Sequence, residues 1–194
     1  MILEVITLFV SPMLLQKVDN NEPLDNDNFQ YLVELKADGI RLILSKWEGK
    51  LKFFSRNNND ISYTFSKYFS DIDLPDGTII DAELIVTDDQ GRPDFEKIQN
   101  VFLSKKSTYQ PVIFAFDILY YKYEKVTHLH ILKRKELLEE VIPKSEKIVT
   151  VQYMIGHGKS YFDLIKENEL EGVVFKYIGE DKSDNEYTSY HINK

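Results

Sequence analysis

Within YLVELKADGIRLIL, residues 31–44, an apolar strand-like run is interrupted by Lys36, Asp38, Gly39 and Arg41. One amine, one carboxylate and one guanidinium at a glycine turn can hold a polyanion beside a nucleophile. An amine attacks phosphorus only when neutral, so Lys36, starting from an ordinary value near 10.4, needs its pKa lowered by nearby cations or by desolvation. Arg41 can supply such a charge and grip two phosphate oxygens at once. Gly39 lets the backbone turn and approach a ligand without a Cβ in the way. A hairpin shoulder with an exposed ion pair gives the same triplet, so the pattern gains weight only if other residues join it.

The elements that must position these groups are legible as short β-rich runs separated by turn signals. YLVEL precedes the lysine. RLILSKW and KLKFFSR follow, joined through Glu48-Gly49, and then TIIDAELIV, a turn at DDQGRP, VIFAFDILYY, IVTVQYM and EGVVFKYI. Helical periodicity is best over 95–103, 132–142 and 160–168. Hairpin-like pairs outnumber strand-helix-strand units, which predicts an α+β fold of antiparallel sheets flanked by helices and not a doubly wound parallel sheet. There is no fixed-period repeat, and the polar stretch VDNNEPLDNDN at 18–28 is the one linker-like segment, so 1–194 reads as one domain.

Composition narrows the classes further. The 194 residues are 43% hydrophobic and include 12 Phe and 12 Tyr, enough for a substantial core. No run reaches the roughly 18 apolar residues of a membrane span, and MILEVITLFV lacks the basic start of a signal peptide, so a cytoplasmic protein without membrane contact is expected. The absence of cysteine excludes disulfides, thiolate metal sites and a cysteine nucleophile. A net charge of −8 has the wrong sign for holding nucleic acid by bulk electrostatics, so any such contact must be local. The run Lys133-Arg134-Lys135 reads as the solvated face of a helix. Neither G-x-G-x-x-G nor G-x-x-x-x-G-K-[ST] is present.

Lys36-x-Asp38-Gly39-x-Arg41 resembles the K-x-D-G-x-R signature of the covalent nucleotidyltransferases, and among them the ATP-dependent DNA ligases. Its companions follow in order: Ser55-Arg56-Asn57, Asp81-Ala82-Glu83-Leu84, Phe116-Asp117, Arg134 in LHILKRKELL, and Glu171-Gly172-Val173-Val174-Phe175-Lys176. Pro12-Met13-Leu14 resembles the P-M-L that often opens such a domain, so the likeness runs from residue 12 to about 194.

The resemblance implies a covalent nucleotidyltransferase (ATP-grasp-like) domain in which Lys36 attacks the α-phosphate of ATP and carries AMP as a phosphoramidate. AMP then passes to the 5′-phosphate of nicked duplex DNA, and the 3′-hydroxyl displaces it, as DNA replication, repair and recombination require. Arg41 and Arg56 would contact the nucleotide's sugar and phosphates, Glu83 the ribose or the metal shell, and Phe116 the adenine face. Glu171, with Glu83, would hold Mg²⁺, and Lys176 would neutralise charge on the α-phosphate. Asp38 would serve as a metal or nick-end partner, and Glu34 would lie near the adenine edge. Taken singly, each residue has an ordinary alternative: Phe116 as core, Glu83 as the exposed phase of a strand.

The chain departs from the family pattern at Ala82, where glycine is usual, and in SYHINK, which spells W-x-K-x-K so differently that Lys194 stands in for the final lysine only by position. Relatives usually continue into an oligonucleotide-binding barrel, expected here to be absent from the chain. The domain is expected to be a monomer. An RNA ligase, an mRNA-capping nucleotidyltransferase and an inactive nucleotide-binding relative are the alternatives; Arg41 favours the DNA ligase over the first two, and intact Lys36, Glu83, Glu171 and Lys176 oppose the third.

Overall fold

Strands largely buried on both faces build two sheets whose facing surfaces enclose a cleft. The computed structural model describes residues 8–17, 22–25, 27–178 and 189–193. In chain order the strands are β1 (Gln16–Lys17), β2 (Tyr31–Lys36), β3 (Ile40–Trp47), β4 (Lys50–Ser55), β5 (Thr78–Ile85), β6 (Val112–Tyr121), β7 (Glu124–Lys125), β8 (Ile148–Thr150), β9 (Tyr153–Ile155), β10 (Gly172–Tyr177) and β11 (Ser189–Asn193). The helices are α1 (Ser62–Phe69), α2 (Phe95–Leu103), α3 (Ile131–Val141) and α4 (Gly158–Glu167). One sheet has the order β1-β11-β10-β2-β9, and the other β4-β3-β5-β6-β7 with β8 added against β6. All pairings are antiparallel except β1 with β11 and β6 with β8, so the α+β expectation stands.

Two cores fix the outer faces. Tyr31, Val33, Val173 and Phe175 project from β2 and β10 onto Ile165 of α4. Leu42, Leu44, Ile80, Ala82 and Leu84 project from β3 and β5 onto Phe65 and Phe69 of α1, Ile98 of α2 and Leu138 of α3. In a strand, alternate residues face opposite ways, so burying these sets turns Glu34 and Lys36 on one sheet, and Arg41, Asp81 and Glu83 on the other, inward to the cleft.

Three features of the structure go beyond or against the reading of the sequence. Residues 62–69 form α1: the aromatic, β-branched composition of SYTFSKYF hides the helical i, i+4, i+8 spacing of Ile61, Phe65 and Phe69, all buried. IVTVQYM is not one strand, because its first part joins one sheet as β8 and its last joins the other as β9, with Val151 donating to the Ala115 carbonyl at 2.8 Å between them. Continuous apolar alternation cannot show a strand that changes sheets.

The third concerns Gly39. Its close neighbour is the chain itself: a Cβ there would lie 2.3 Å from the Leu84 carbonyl oxygen and 2.8 Å from Glu83 Cγ. The glycine is needed because β5 presses against the turn between β2 and β3. Gly39→Ala should therefore lower stability by roughly 1–3 kcal/mol through overpacking, and it should displace Glu83. Urea unfolding of the two proteins checks this, and equal midpoints would refute it.

Candidate active site

The register of β2 against β10 sets Lys36 opposite Gly172, Glu34 opposite Val174 and Leu32 opposite Lys176. Glu34, Lys36 and Lys176 consequently share one face. Glu171, just before β10, reaches the end of β2 and forms an ion pair with the Lys36 ammonium. Its other oxygen, Oε2, is buried without a hydrogen-bond partner.

The opposite wall comes from β3, β5 and β6, where Arg41 pairs with Glu83 and Glu83 with Phe114. Arg41 closes a fork on Asp81, with Nε 2.6 Å from Oδ1 and Nη2 2.8 Å from Oδ2, and Nη2 also donates to the Met13 carbonyl at 3.2 Å. A register shift between Asp81 and Ala82 leaves Phe116 without a partner in β5. Such a bulge re-aims a side chain and frees a carbonyl. The Phe116 ring carries the Arg41 guanidinium at 4.5 Å and Lys176 Nζ at 5.0 Å from its centroid. Its carbonyl accepts from Lys135 Nζ at 2.7 Å.

Behind this wall, Arg134 forks onto Asp117 at 2.7 and 2.9 Å and donates to the Leu129 carbonyl at 2.6 Å. Glu34 is ion-paired to Lys176 at 2.7 Å and to Lys135. These charges are buried and nearly all paired, as their desolvation cost demands.

The two walls enclose a cavity of about 610 Å³ lined by Glu34, Lys36, Arg41, Arg56, Glu83, Phe116 and Lys176, among others. That is the size of a small-ligand site. A second depression of about 550 Å³, lined by Asp38, Arg92 and Glu171, meets the first at Lys36, which borders both.

Electrostatics within the cleft are strongly perturbed. Burial lowers the Lys36 pKa, against the pull of Asp38 and Glu83. Burial pushes the Glu83 carboxyl up to about 8, outweighing Arg41, and raises Asp81 despite the same arginine. For Asp117 burial acts upward too, but the hydrogen bonds and charge of Arg134 win and hold it low. Burial, helped by Lys176 and opposed by Glu34, brings Lys135 down to about 8.

Such an array suits nucleotide chemistry, and the comparisons with known proteins agree. The sequence profile described as the ATP dependent DNA ligase domain matches residues 12–189. The chain belongs to this family. A SPbeta prophage-derived DNA ligase-like protein of Bacillus subtilis is 40% identical over 96% of the chain, and a probable DNA ligase of Dictyoglomus thermophilum is 30% identical over 85%. The chain spans 64% and 31% of the lengths of these two relatives. Among solved structures, a mycobacterial DNA ligase D complexed with ATP and MES shares the fold with a TM-score of 0.72 at 21% identity, covering 94% of this chain and 60% of that one.

In this ligase domain the residues singled out from the sequence divide by location. Glu34, Lys36, Arg41, Arg56, Glu83, Phe116 and Lys176 line the larger cavity, while Asp38 and Glu171 lie on the second depression. Lys194 falls outside the described residues. Among those residues no group of three or more His, Asp or Glu side chains could hold a metal on its own. The unpartnered Glu171 Oε2 nevertheless fits Mg²⁺, which commonly takes one or two carboxylates and completes its shell with water and phosphate.

The reading of Lys133-Arg134-Lys135 as a solvated face is overturned. Arg134 and Lys135 are buried, and only Lys133 is exposed, paired with Glu136. Lys135 is a buried charged group beside the cleft that the sequence reading did not single out. The apolar positions Ile131, Leu138 and Val141 buried beside it carry the i, i+7, i+10 spacing that puts 134 and 135 on the packed side.

Glu83 predicts a pH effect. Its folded-state pKa of about 8 exceeds the ordinary 4.5, so the folded ligase domain binds the proton more tightly and loses stability as pH rises through that window. Glu83→Gln removes this penalty. The variant should gain on the native domain progressively from pH 4.5 to 8, then level off. Urea unfolding without nucleotide or divalent metal measures it, and a pH-independent difference would contradict it.

Proposed function

We propose that the chain is the adenylation domain of an enzyme that seals nicks in duplex DNA. The reading rests on Lys36, a nucleophile with a lowered pKa at the junction of the two depressions, one sized for a nucleotide and the other open to an acceptor.

In the first step the neutral Lys36 amine attacks the α-phosphorus of ATP. An N–P bond forms, the bond to the bridging oxygen breaks, and pyrophosphate leaves. Glu171, already hydrogen-bonded to Nζ, accepts the proton the amine sheds. Lys176 neutralises charge gathering on the α-phosphate. The Phe116 face receives adenine, with Glu34 at the base edge and Glu83 at the ribose. Arg41 spends its fork on Asp81, so it meets sugar or phosphate through its remaining N–H groups, and Arg56 supplies a second cation at the rim.

Glu171, with Glu83 across the cleft, would hold Mg²⁺, which would add Lewis-acid stabilisation of phosphate charge. AMP next moves to the 5′-phosphate of a nick, with Asp38 beside the entering end, and the 3′-hydroxyl attacks that phosphorus and expels AMP. An oligonucleotide-binding domain elsewhere in the protein would close over the nucleotide and grip the duplex. A monomer in the cytoplasm serving replication, repair or recombination fits this chemistry.

Incubation with ATP and Mg²⁺ should add one AMP by intact mass, with none on Lys36→Ala and little from GTP. Nick-sealing on DNA and RNA substrates then identifies the acceptor. A Lys36→Ala protein with unchanged activity would overturn the reading in favour of a nucleotide-binding relative.

A further inference from the structure

Lys135 takes no part in the steps above, yet its side chain is only 3% exposed. From α3 it reaches β2, where it is ion-paired to Glu34 Oε1, and β6, where it donates to the Phe116 carbonyl at 2.7 Å. Lys176 takes the other Glu34 oxygen at 2.7 Å. One carboxylate is thus held between two ammonium groups.

The two cations are not equivalent. Lys176 lines the nucleotide-sized cavity, whereas Lys135 sits behind Glu34 and lines neither depression. A cation that serves a phosphate must loosen its hold on Glu34. A carboxylate accepts hydrogen bonds and donates none, so where its oxygens are aimed decides which neighbour it can match. At the corresponding edge adenine presents an amino donor and guanine a carbonyl acceptor. An aimed Glu34 carboxylate therefore matches the amino donor of adenine and not the carbonyl of guanine, and Lys135 is the counter-ion that stays when Lys176 is drawn away.

We propose that Lys135 is a positioning residue that holds the Glu34 carboxylate aimed at the base edge and so selects adenine over guanine nucleotides. This rests on the reading that Glu34 meets the base edge. The anchoring through the Phe116 carbonyl ties that selection to the bulge that presents the aromatic face, so one side chain sets both the edge and the platform.

The test uses the full chain with Lys135→Met, Lys135→Gln, Lys135→Arg, Glu34→Gln and the double variant Glu34→Gln/Lys135→Met. AMP and GMP adduct formation gives kcat and KM, and equilibrium binding of ATP and GTP in a Lys36→Ala background gives selectivity without turnover. Removing the charge should raise KM and Kd for ATP and cut the ATP-to-GTP preference by about tenfold or more, as loss of a matched polar edge does. Lys135→Arg should restore most of it, and Lys135→Met should add nothing once Glu34 is Gln. Lys135→Gln, which keeps a donor for the Phe116 carbonyl, carries the same test if Lys135→Met fails to fold. Unchanged selectivity in the uncharged variants, or effects of Lys135 and Glu34 that simply add, would overturn the proposal. An AMP adduct on native Lys36 with unchanged selectivity would sink this inference alone, whereas a native chain that binds ATP but never forms the adduct would sink the adenylation reading and leave the binding test standing.

Discussion

The pairing of β2 with β10 in a single register is the constraint on which the site depends. Lys36 opposite Gly172 brings its amine within reach of Glu171, and the same register carries Glu34 and Lys176 onto one face. A slip of β2 by one residue would turn Glu34 and Lys36 into the apolar layer against α4 and bring Val33 and Leu35 into the cleft. The packing of Tyr31, Val33, Val173 and Phe175 on Ile165 is what forbids the slip. The hydrophobic effect thus fixes the site indirectly, by deciding which residues are left to face the cleft.

The second wall depends on an irregularity. Regular pairing of β5 with β6 would give every residue of both strands a partner, but the shift after Asp81 leaves Phe116 out of the ladder. Its ring then faces Arg41 and Lys176, and its carbonyl is left for Lys135. The close approach of β5 to Gly39 links this wall back to the lysine turn. The glycine of the lysine motif accordingly serves the joint between the sheets, and its neighbour Glu83 is held in place by the same contact.

Much of this was legible in the sequence wherever local chemistry and periodicity agreed. FEKIQNVFL forms its helix over the expected residues because Asp94 caps it and Ile98 and Val101 repeat at helical spacing. Lys36, Glu83, Phe116 and Lys176 meet in one cavity because each lies on a strand that the sequence displays. What could not be read depended on partners distant in the chain. α1 is helical through packing on Phe53, the switch of sheets at Val151 is decided by Ala115, and Lys135 is buried because Glu34, a hundred positions away, needs a counter-ion. A run of three basic residues carries no mark of which one has a buried carboxylate waiting.

Burial also resolves how a chain of net charge −8 can attract a polyphosphate. The larger cavity is lined by six basic side chains, Lys36, Arg41, Arg56, Lys125, Arg134 and Lys176, against four acids, Glu34, Asp81, Glu83 and Asp117. Formally this lining is positive. Desolvation adds to that by lifting Glu83 to about 8, while Arg134 holds Asp117 low. The cleft is therefore a positive point in a chain of negative net charge, set by a local excess of lysine and arginine and by a carboxyl that burial keeps from ionising readily. A bound phosphate gains from that field only inside the cleft, where water is excluded and each charge acts at close range.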